Sequence, residues 1–483
     1  MMKYLKKYPF EVFLVVHFAL WSFVPLLRKS LPMDSIEAVS WGMYCDLGTN
    51  KHPPLSGWLA DFFYSVIGFE TPFSIYALSQ LCVVLGFIYV FRLSWLFVSK
   101  EKAVLAAMLL EGVIYYGFSS LEYNVNVVSL ALWPMTAYYF YMAVKRNKTL
   151  DWALTGAFAG LNLLNKYTSF VLLFSMALYM LFDQKARSRL KTLRPYLAAI
   201  VCVMIVMPHL LWLYRHDFFV MSYFMGRGAQ GSFENMPLLK HIVYPLKFIG
   251  AQILFSAGTL LIYFSAARGE RKTSTPHEKS DINFLIYMGV LPVFFMFCIS
   301  LVFGLKLKSM WGFPSLYLLG LLLMVFFSYQ TTERLKHRLV VGVYAMMFLF
   351  VAAQVLVICL NKSDKFQLEV QKYGKTIEAL WAQNSEKPFE YVAGDVWWAN
   401  NAALFAPSKP KPIIWGDVKQ NPWFDAKDIE DKGALVLSSD EATYFQMQKK
   451  LGFEGKPQIL RVKVQNRFKK TKEKTLYYGF YHN

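Results

Sequence analysis

Long apolar runs separated by short polar breaks fill the first 360 residues. Runs long enough to cross a bilayer lie near residues 10–27, 73–98, 103–118, 122–144, 152–165, 169–182, 196–214, 244–266, 283–304, 311–328 and 339–360, predicting about eleven membrane helices. Those at 152–165 and 169–182 are too short to cross without tilt or thinning, and a re-entrant pair flanking Asn165-Lys166-Tyr167 is the alternative. After Leu360 the pattern changes. Short apolar runs at 389–393, 412–415 and 433–438 read as strands, and 440–451 reads as a helix with Asp440 as N-cap and Lys449 and Lys450 at its C-terminal end. Strands alternating with helix predict a small α/β unit, so the chain divides into a membrane region, 1–360, and a soluble tail, 361–483.

Composition agrees with this division. Of 483 residues, 56% are hydrophobic and 17% aromatic, with a mean hydropathy of +0.33, more than a water-soluble surface carries. The net charge of +19 sits largely in short loops beside spans, which is the pattern of anchorage to anionic head groups and argues against nucleic acid as a partner. The loop segments at 3–7, 100–102, 145–148, 185–194, 268–279 and 334–338 hold twenty lysines and arginines, against nine in the alternate segments. Basic residues are retained on the cytoplasmic side, so the loop 28–72 and the tail are expected outside the cytoplasm. The apolar run 10–27 ends in Val-Pro-Leu-Leu-Arg-Lys without a small-x-small cleavage site and reads as an uncleaved first helix. Four of the five cysteines, Cys82, Cys202, Cys298 and Cys359, fall in spans and leave Cys45 alone, so no disulfide framework is expected.

The loop 28–72 gathers chemistry. Asp34 and Glu37 are three residues apart, so a helical turn puts both carboxylates on one face. A carboxylate there could deprotonate an acceptor hydroxyl or hold a divalent cation; it could equally cap a short interfacial helix. Lys51-His52-Pro53-Pro54 fixes an extended backbone through its prolines. Lysine is a compact charge suited to phosphate, and histidine donates to phosphate or ligates a metal; the same motif also makes a rigid entry to an amphipathic helix over 55–67. Elsewhere on the outer side, Lys166, Tyr167, Arg215, His216 and Arg227 are candidates for binding an anionic lipid, although some will be snorkelling anchors. Glu122, Asn124 and Asn126 open the fourth span. His209 reads equally as a ligand or a core histidine, Lys306 and Lys308 before Trp311 read as an interfacial anchor, and Glu111 falls inside a span, where a carboxyl is expected paired or protonated.

The pattern Asp34, Glu37, Trp41-Gly42, Gly48, Lys51-His52-Pro53-Pro54-Leu55 and Trp58 resembles the first loop of the bacterial protein-mannosyltransferase-like family, of glycosyltransferase family 39 type. Asn126, Lys166-Tyr167, Pro208-His209 with Trp212, and the tail runs Ala393-Gly394-Asp395 and Ala403 to Pro407 look like further family features. The resemblance implies the GT-C fold: a polytopic all-α membrane protein with a small C-terminal α/β domain outside the cytoplasm of a bacterial inner membrane. It implies a glycosyltransferase that moves a sugar from a polyprenyl-phosphate donor to an envelope acceptor, similar to the lipid A aminoarabinose and galactosamine transferases. In protein O-mannosyltransferases the acidic pair is adjacent, whereas Ser35 and Ile36 intervene here; the catalytic role therefore goes first to Asp34, and Glu37 takes a metal-holding or supporting role, with His52 as its partner for a divalent metal. Asn126, Lys51, His52, Lys166, Tyr167, Arg215, His216 and Arg227 are the expected donor-phosphate and substrate contacts. The cation-rich outer loops favour an anionic acceptor, lipid A phosphate; a protein or glycan hydroxyl is the second choice. A lipid-sugar flippase without catalysis is the third, against which stands the one-sided clustering of ionisable groups.

Overall fold

The computed structural model describes residues 9–44, 46–68, 70–220, 237–274, 276–418, 421, 424–465, 468 and 471–481. Cys45 and Arg227 lie outside them. The chain begins with α1 (Pro9–Phe23), continued by a 3-10 turn to Leu27. The first loop then folds into α2 (Met33–Met43) and α3 (Leu55–Asp61), the latter running on as a π-helix over Phe62–Ile67. There follow α4 (Pro72–Ser94), α5 (Lys100–Met108), α6 (Val125–Arg146), α7 (Thr149–Asn165), α8 (Phe170–Phe182) and α9 (Arg194–Arg215). The membrane region ends with α10 (Pro237–Ala266), α11 (Lys279–Gly289), α12 (Leu291–Phe303), α13 (Leu319–Phe326) and α14 (Glu333–Leu360).

Among the described residues, six helices are long and apolar enough to cross a membrane: α1 with its 3-10 extension, α4, α6, α9, α10 and α14. Two bent pairs, α11 with α12 at 45° and the 3-10 segment Ser309–Leu316 with α13 at 56°, bring the number to eight at most. By length this is fewer than the eleven runs in the sequence, because α7 and α8 are too short to cross alone and because apolar runs mark burial in protein as well as contact with lipid. The run 103–118 shows why. Helix α5 stops at Met108, a 3-10 turn follows over Leu109–Gly112, and the chain runs through turns to Asn124, its residues mostly buried among other helices. Helix α6 begins three residues later than its apolar run and lies buried along almost its whole length, with the Asn124 side chain capping the N–H groups of Asn126 and Val127 and Asn147 closing it in the left-handed conformation at φ 52°. Helices α7 and α8 meet at Lys166, which is extended.

The tail carries a five-stranded sheet in the order β2-β1-β3-β5-β4. Strands β1 (Tyr391–Gly394), β2 (Lys411–Ile414) and β3 (Ala434–Ser438) are parallel, and the hairpin β4 (Gln458–Gln465) and β5 (Thr471–Tyr481) joins antiparallel through β5. The sequence showed three of these strands within two residues; the hairpin was not foreseen, since its lysines and glutamates blur the alternation. Helix α15 (Val370–Ala382), helix α16 (Val396–Phe405), capped by the Asp395 carboxylate, and helix α17 (Glu441–Leu451), capped by Asp440, pack around the sheet. All ten residues of α16 are buried. Part of that burial is against the first loop, where Met33 of α2 packs on Val396, Ala399 and Ile414, and Tyr44 meets Phe424 edge-on at 5.2 Å.

Candidate active site

Helix α2 sets both carboxylates. Asp34 lies in its first turn and Glu37 one turn on, and both face a cavity of about 290 Å³. The cavity is also lined by Lys51, His52, Asn126, Lys166 and Tyr167. Three stretches far apart in sequence thus converge: the first loop, the start of α6 and the α7–α8 junction.

The turn carrying Lys51 and His52 is closed by Thr49. Its hydroxyl accepts the backbone N–H groups of Lys51 and His52 at 3.2 and 2.9 Å and donates to the His52 carbonyl at 2.9 Å, while Pro53 and Pro54 stiffen the exit. Trp41 packs edge-on to the His52 ring at 5.9 Å. Lys51 Nζ donates to Glu37 Oε1 at 2.5 Å, with both side chains mostly buried. Asp34 has different neighbours. Its Oδ2 accepts from Asn124 Nδ2 at 3.2 Å, and its backbone N–H donates to Glu122 Oε1 at 3.2 Å. Asp34 makes no ion pair among the described residues, so it remains the carboxylate with lone pairs to offer. Burial, and then the neighbouring Asp34 carboxylate, push Glu122 up to about 7, against the opposing pull of the Asp34 N–H, Arg28 and Lys365. Arg28 is itself lowered by burial.

Lys166 Nζ donates to Asn126 Oδ1 at 2.5 Å. Lys166 is 4% exposed, and burial lowers its ammonium pKa to about 7. Tyr167 donates its hydroxyl to His209 Nε2 at 2.9 Å, and His209 Nδ1 donates to the Leu47 carbonyl at 2.6 Å, so a hydrogen-bonded chain ties α9 to the first loop. This settles His209 as a bridging group. Beside it Trp212 presses so close to Gly48 that a Cβ there would sit 2.3 Å from the indole ring.

Arg215 and His216 do not line the cavity. They end a separate groove formed by Leu47, Met204, Met207, Leu211 and Trp212, whose outer wall is exposed apolar surface: Met204 is 68% and Leu211 50% exposed. Met310 and Trp311, by contrast, close the cavity, so Trp311 is more than the interfacial anchor its sequence context suggested. Nothing in the local sequence marks these two; only the 3-10 fold of Ser309–Leu316 brings them in. Glu122 and Asn124, which the sequence marked as polar residues opening the fourth span, stand beside Asp34, but their bonds to it could not be read from the sequence. As a metal pair, Glu37 and His52 fit poorly. Glu37 is engaged by an ammonium group, and among the described residues no group of three or more His, Cys, Asp or Glu stands together as a ligand set.

Comparison with known proteins places the fold. The solved structures of ArnT from Cupriavidus metallidurans superpose on 97% of this chain and 97% of their own, with a TM-score of 0.64 when bound to undecaprenyl phosphate and 0.60 in the apo state, at 13% identity. The chain has the GT-C glycosyltransferase fold. Residues 51–212 of this GT-C protein match the family described as dolichyl-phosphate-mannose-protein mannosyltransferase. Two sequence relatives are lipopolysaccharide core galacturonosyltransferases of Rhizobium johnstonii: RgtA, 27% identical over half of this chain and 49% of its own length, and RgtB, 24% identical over 79% of this chain and 78% of its own. The chain thus spans about half the length of RgtA and over three quarters of RgtB.

Proposed function

We propose that this chain is a membrane glycosyltransferase that moves a sugar from a polyprenyl-phosphate donor to lipopolysaccharide, at lipid A or its core, on the extracytoplasmic face. The observation that carries the reading is the convergence of Asp34, a carboxylate with no ion pair among the described residues, with Lys51, His52 and Lys166 around one cavity. In such a transfer the bond between sugar C1 and the donor phosphate oxygen breaks, the acceptor oxygen bonds to C1, and the polyprenyl phosphate leaves with the negative charge. Lys166 and Lys51 are placed to receive that charge, and the GT-C neighbour bound to undecaprenyl phosphate supports a lipid-linked donor. Asp34 takes the proton of an acceptor hydroxyl, and Glu37 holds Lys51 in place.

A hydroxyl acceptor fits this arrangement better than a phosphate. A phosphate is already ionised near neutral pH and would leave an unpaired base at the cavity with nothing to deprotonate. The test is transfer by the purified full chain from undecaprenyl-phosphate galacturonic acid, and from neutral and amino-sugar counterparts, to lipopolysaccharide, to dephosphorylated lipopolysaccharide and to a protein hydroxyl acceptor. Product on both lipopolysaccharides is expected. Product only on the phosphorylated form would shift the acceptor to phosphate, and absence of transfer from every donor would end the reading.

A further inference from the structure

The most deeply buried ionisable groups of the membrane region take no part in the cavity. His17 lies in α1, ten residues from the end of that span at Leu27, about 15 Å of helix and therefore near mid-depth. Its Nδ1 meets Glu111 Oε2 at 2.6 Å and its Nε2 meets Gln80 Oε1 at 3.1 Å; the other Glu111 oxygen accepts from Trp21 Nε1 at 3.2 Å. His17, Trp21, Gln80 and Glu111 are all fully buried. Gln80 reaches on to the Ser120 hydroxyl at 3.3 Å, and Ser79 donates to the Ser120 carbonyl. An ionisable pair at this depth is costly and calls for a role.

Glu111 and Ser120 bracket the turns between α5 and α6. Irregular backbone at membrane depth survives only when neighbouring protein satisfies it. Here Ile114 N–H donates to the Phe255 carbonyl at 3.0 Å, Thr259 donates to the Leu109 carbonyl at 2.7 Å, and Gly112 and Gly258 touch backbone to backbone. Gly117 folds back over the pair so closely that a Cβ would lie 2.9 Å from Trp21 and 3.1 Å from Glu111 Oε1. The far end of the same segment carries the groups that hold the first loop. Glu122 and Asn124 bond Asp34, the Tyr123 carbonyl accepts from Ser35 at 3.2 Å, and the Tyr123 hydroxyl donates to the Ser56 carbonyl at 2.9 Å.

We propose that His17 and Glu111, with Trp21 and Gln80, are positioning residues: they clamp the base of the segment 113–124, whose outer end sets the place of Asp34. The proposal rests on the reading of Asp34 as the proton acceptor. The role is mechanical: Phe13 and Phe87 pack against the His17 ring, and Tyr116 packs on Phe87 behind it.

The experiment uses the full chain in lipid nanodiscs, with Glu111→Ala, Glu111→Gln and His17→Ala compared by hydrogen–deuterium exchange over residues 113–124, by transfer kinetics, and by binding of undecaprenyl phosphate. Glu111→Ala is expected to lower kcat at least tenfold, to speed exchange across 113–124, and to leave undecaprenyl phosphate affinity and donor KM within about twofold. Glu111→Gln, which keeps an acceptor for Trp21, is expected to recover most of kcat; His17→Ala, expected to act like Glu111→Ala, serves if Glu111→Ala does not fold. Unchanged exchange over 113–124 in the alanine variants, or a fall in kcat that glutamine does not recover, would overturn the clamp. If the wild-type chain transfers no sugar at all, the functional reading fails, while the exchange data still decide whether the network holds the segment.

Discussion

Asp34 and Glu37 share a helix face yet sit in different electrostatic company. Asp34→Asn keeps shape and removes the base, so transfer to a hydroxyl acceptor should slow by roughly 100- to 10,000-fold while undecaprenyl phosphate still binds; wild-type turnover in a reconstituted assay would remove Asp34 from the mechanism. Lys51 was expected from sequence to answer only to donor phosphate. Because it is buried against Glu37, Lys51→Ala should also destabilise the fold by about 3–5 kcal/mol, and Lys51→Ala with Glu37→Gln should recover much of that loss, as followed by thermal unfolding in detergent. Lys166 makes a pH prediction. Its folded value is lowered to about 7, and a phosphodiester donor keeps its single charge across this range, so donor binding favours the protonated lysine. Affinity should therefore be full below about pH 7 and weaken as pH rises above it; Asn126, Tyr167, Lys51, Glu37, Asp34 and His52 face the same cavity, so the control is Lys166→Gln, which should flatten the profile measured by equilibrium binding. At this scale the chemistry-bearing types were legible, since carboxylates, lysine and histidine beside lipid demand a reason. Their pairing was not, because Glu37–Lys51 and Lys166–Asn126 join positions 14 and 40 residues apart.

Among the elements, the crossing of α2 and α3 shapes the site most directly. A Cβ on Gly42 would lie 2.2 Å from the Gly57 carbonyl oxygen, which is backbone and cannot swing aside. Gly42→Ala should cost about 1–3 kcal/mol and shift the Lys51-His52 turn, lowering both the unfolding midpoint and transfer, whereas the exposed Gly452 and Gly455 lie outside such contacts. A variant with unaltered midpoint and activity would show that the crossing has slack. Long lipid-facing helices such as α9 and α14 were legible because length and continuous hydropathy suffice to mark them. The stretch 103–118 was not, because its apolar residues face other helices and its chain turns where hydropathy records no break.

Across the whole molecule, the tail and the membrane region meet at the first loop. Lys29 pairs with Glu369, Arg28 donates to the Lys365 carbonyl and stacks on Phe366, and Lys409 reaches Glu70. The change of composition after Leu360 was visible in the sequence; the docking of α16 on α2 was not, since an all-buried helix does not name its partner. The asymmetry of basic loops predicts that this assembly lies outside the cytoplasm. An alkaline phosphatase fused after Asn483 should accordingly be active, and an inactive fusion beside an active cytoplasmic reporter at the same point would invert the topology.

The groove of Leu47, Met204, Met207, Leu211 and Trp212 has an outer wall of exposed apolar side chains, a surface suited to hydrocarbon. For a substrate arriving by that route the relevant concentration is its mole fraction in the bilayer. Adding inert lipid to a fixed amount of donor and enzyme should then slow transfer by surface dilution, although nothing in the bulk volume has changed.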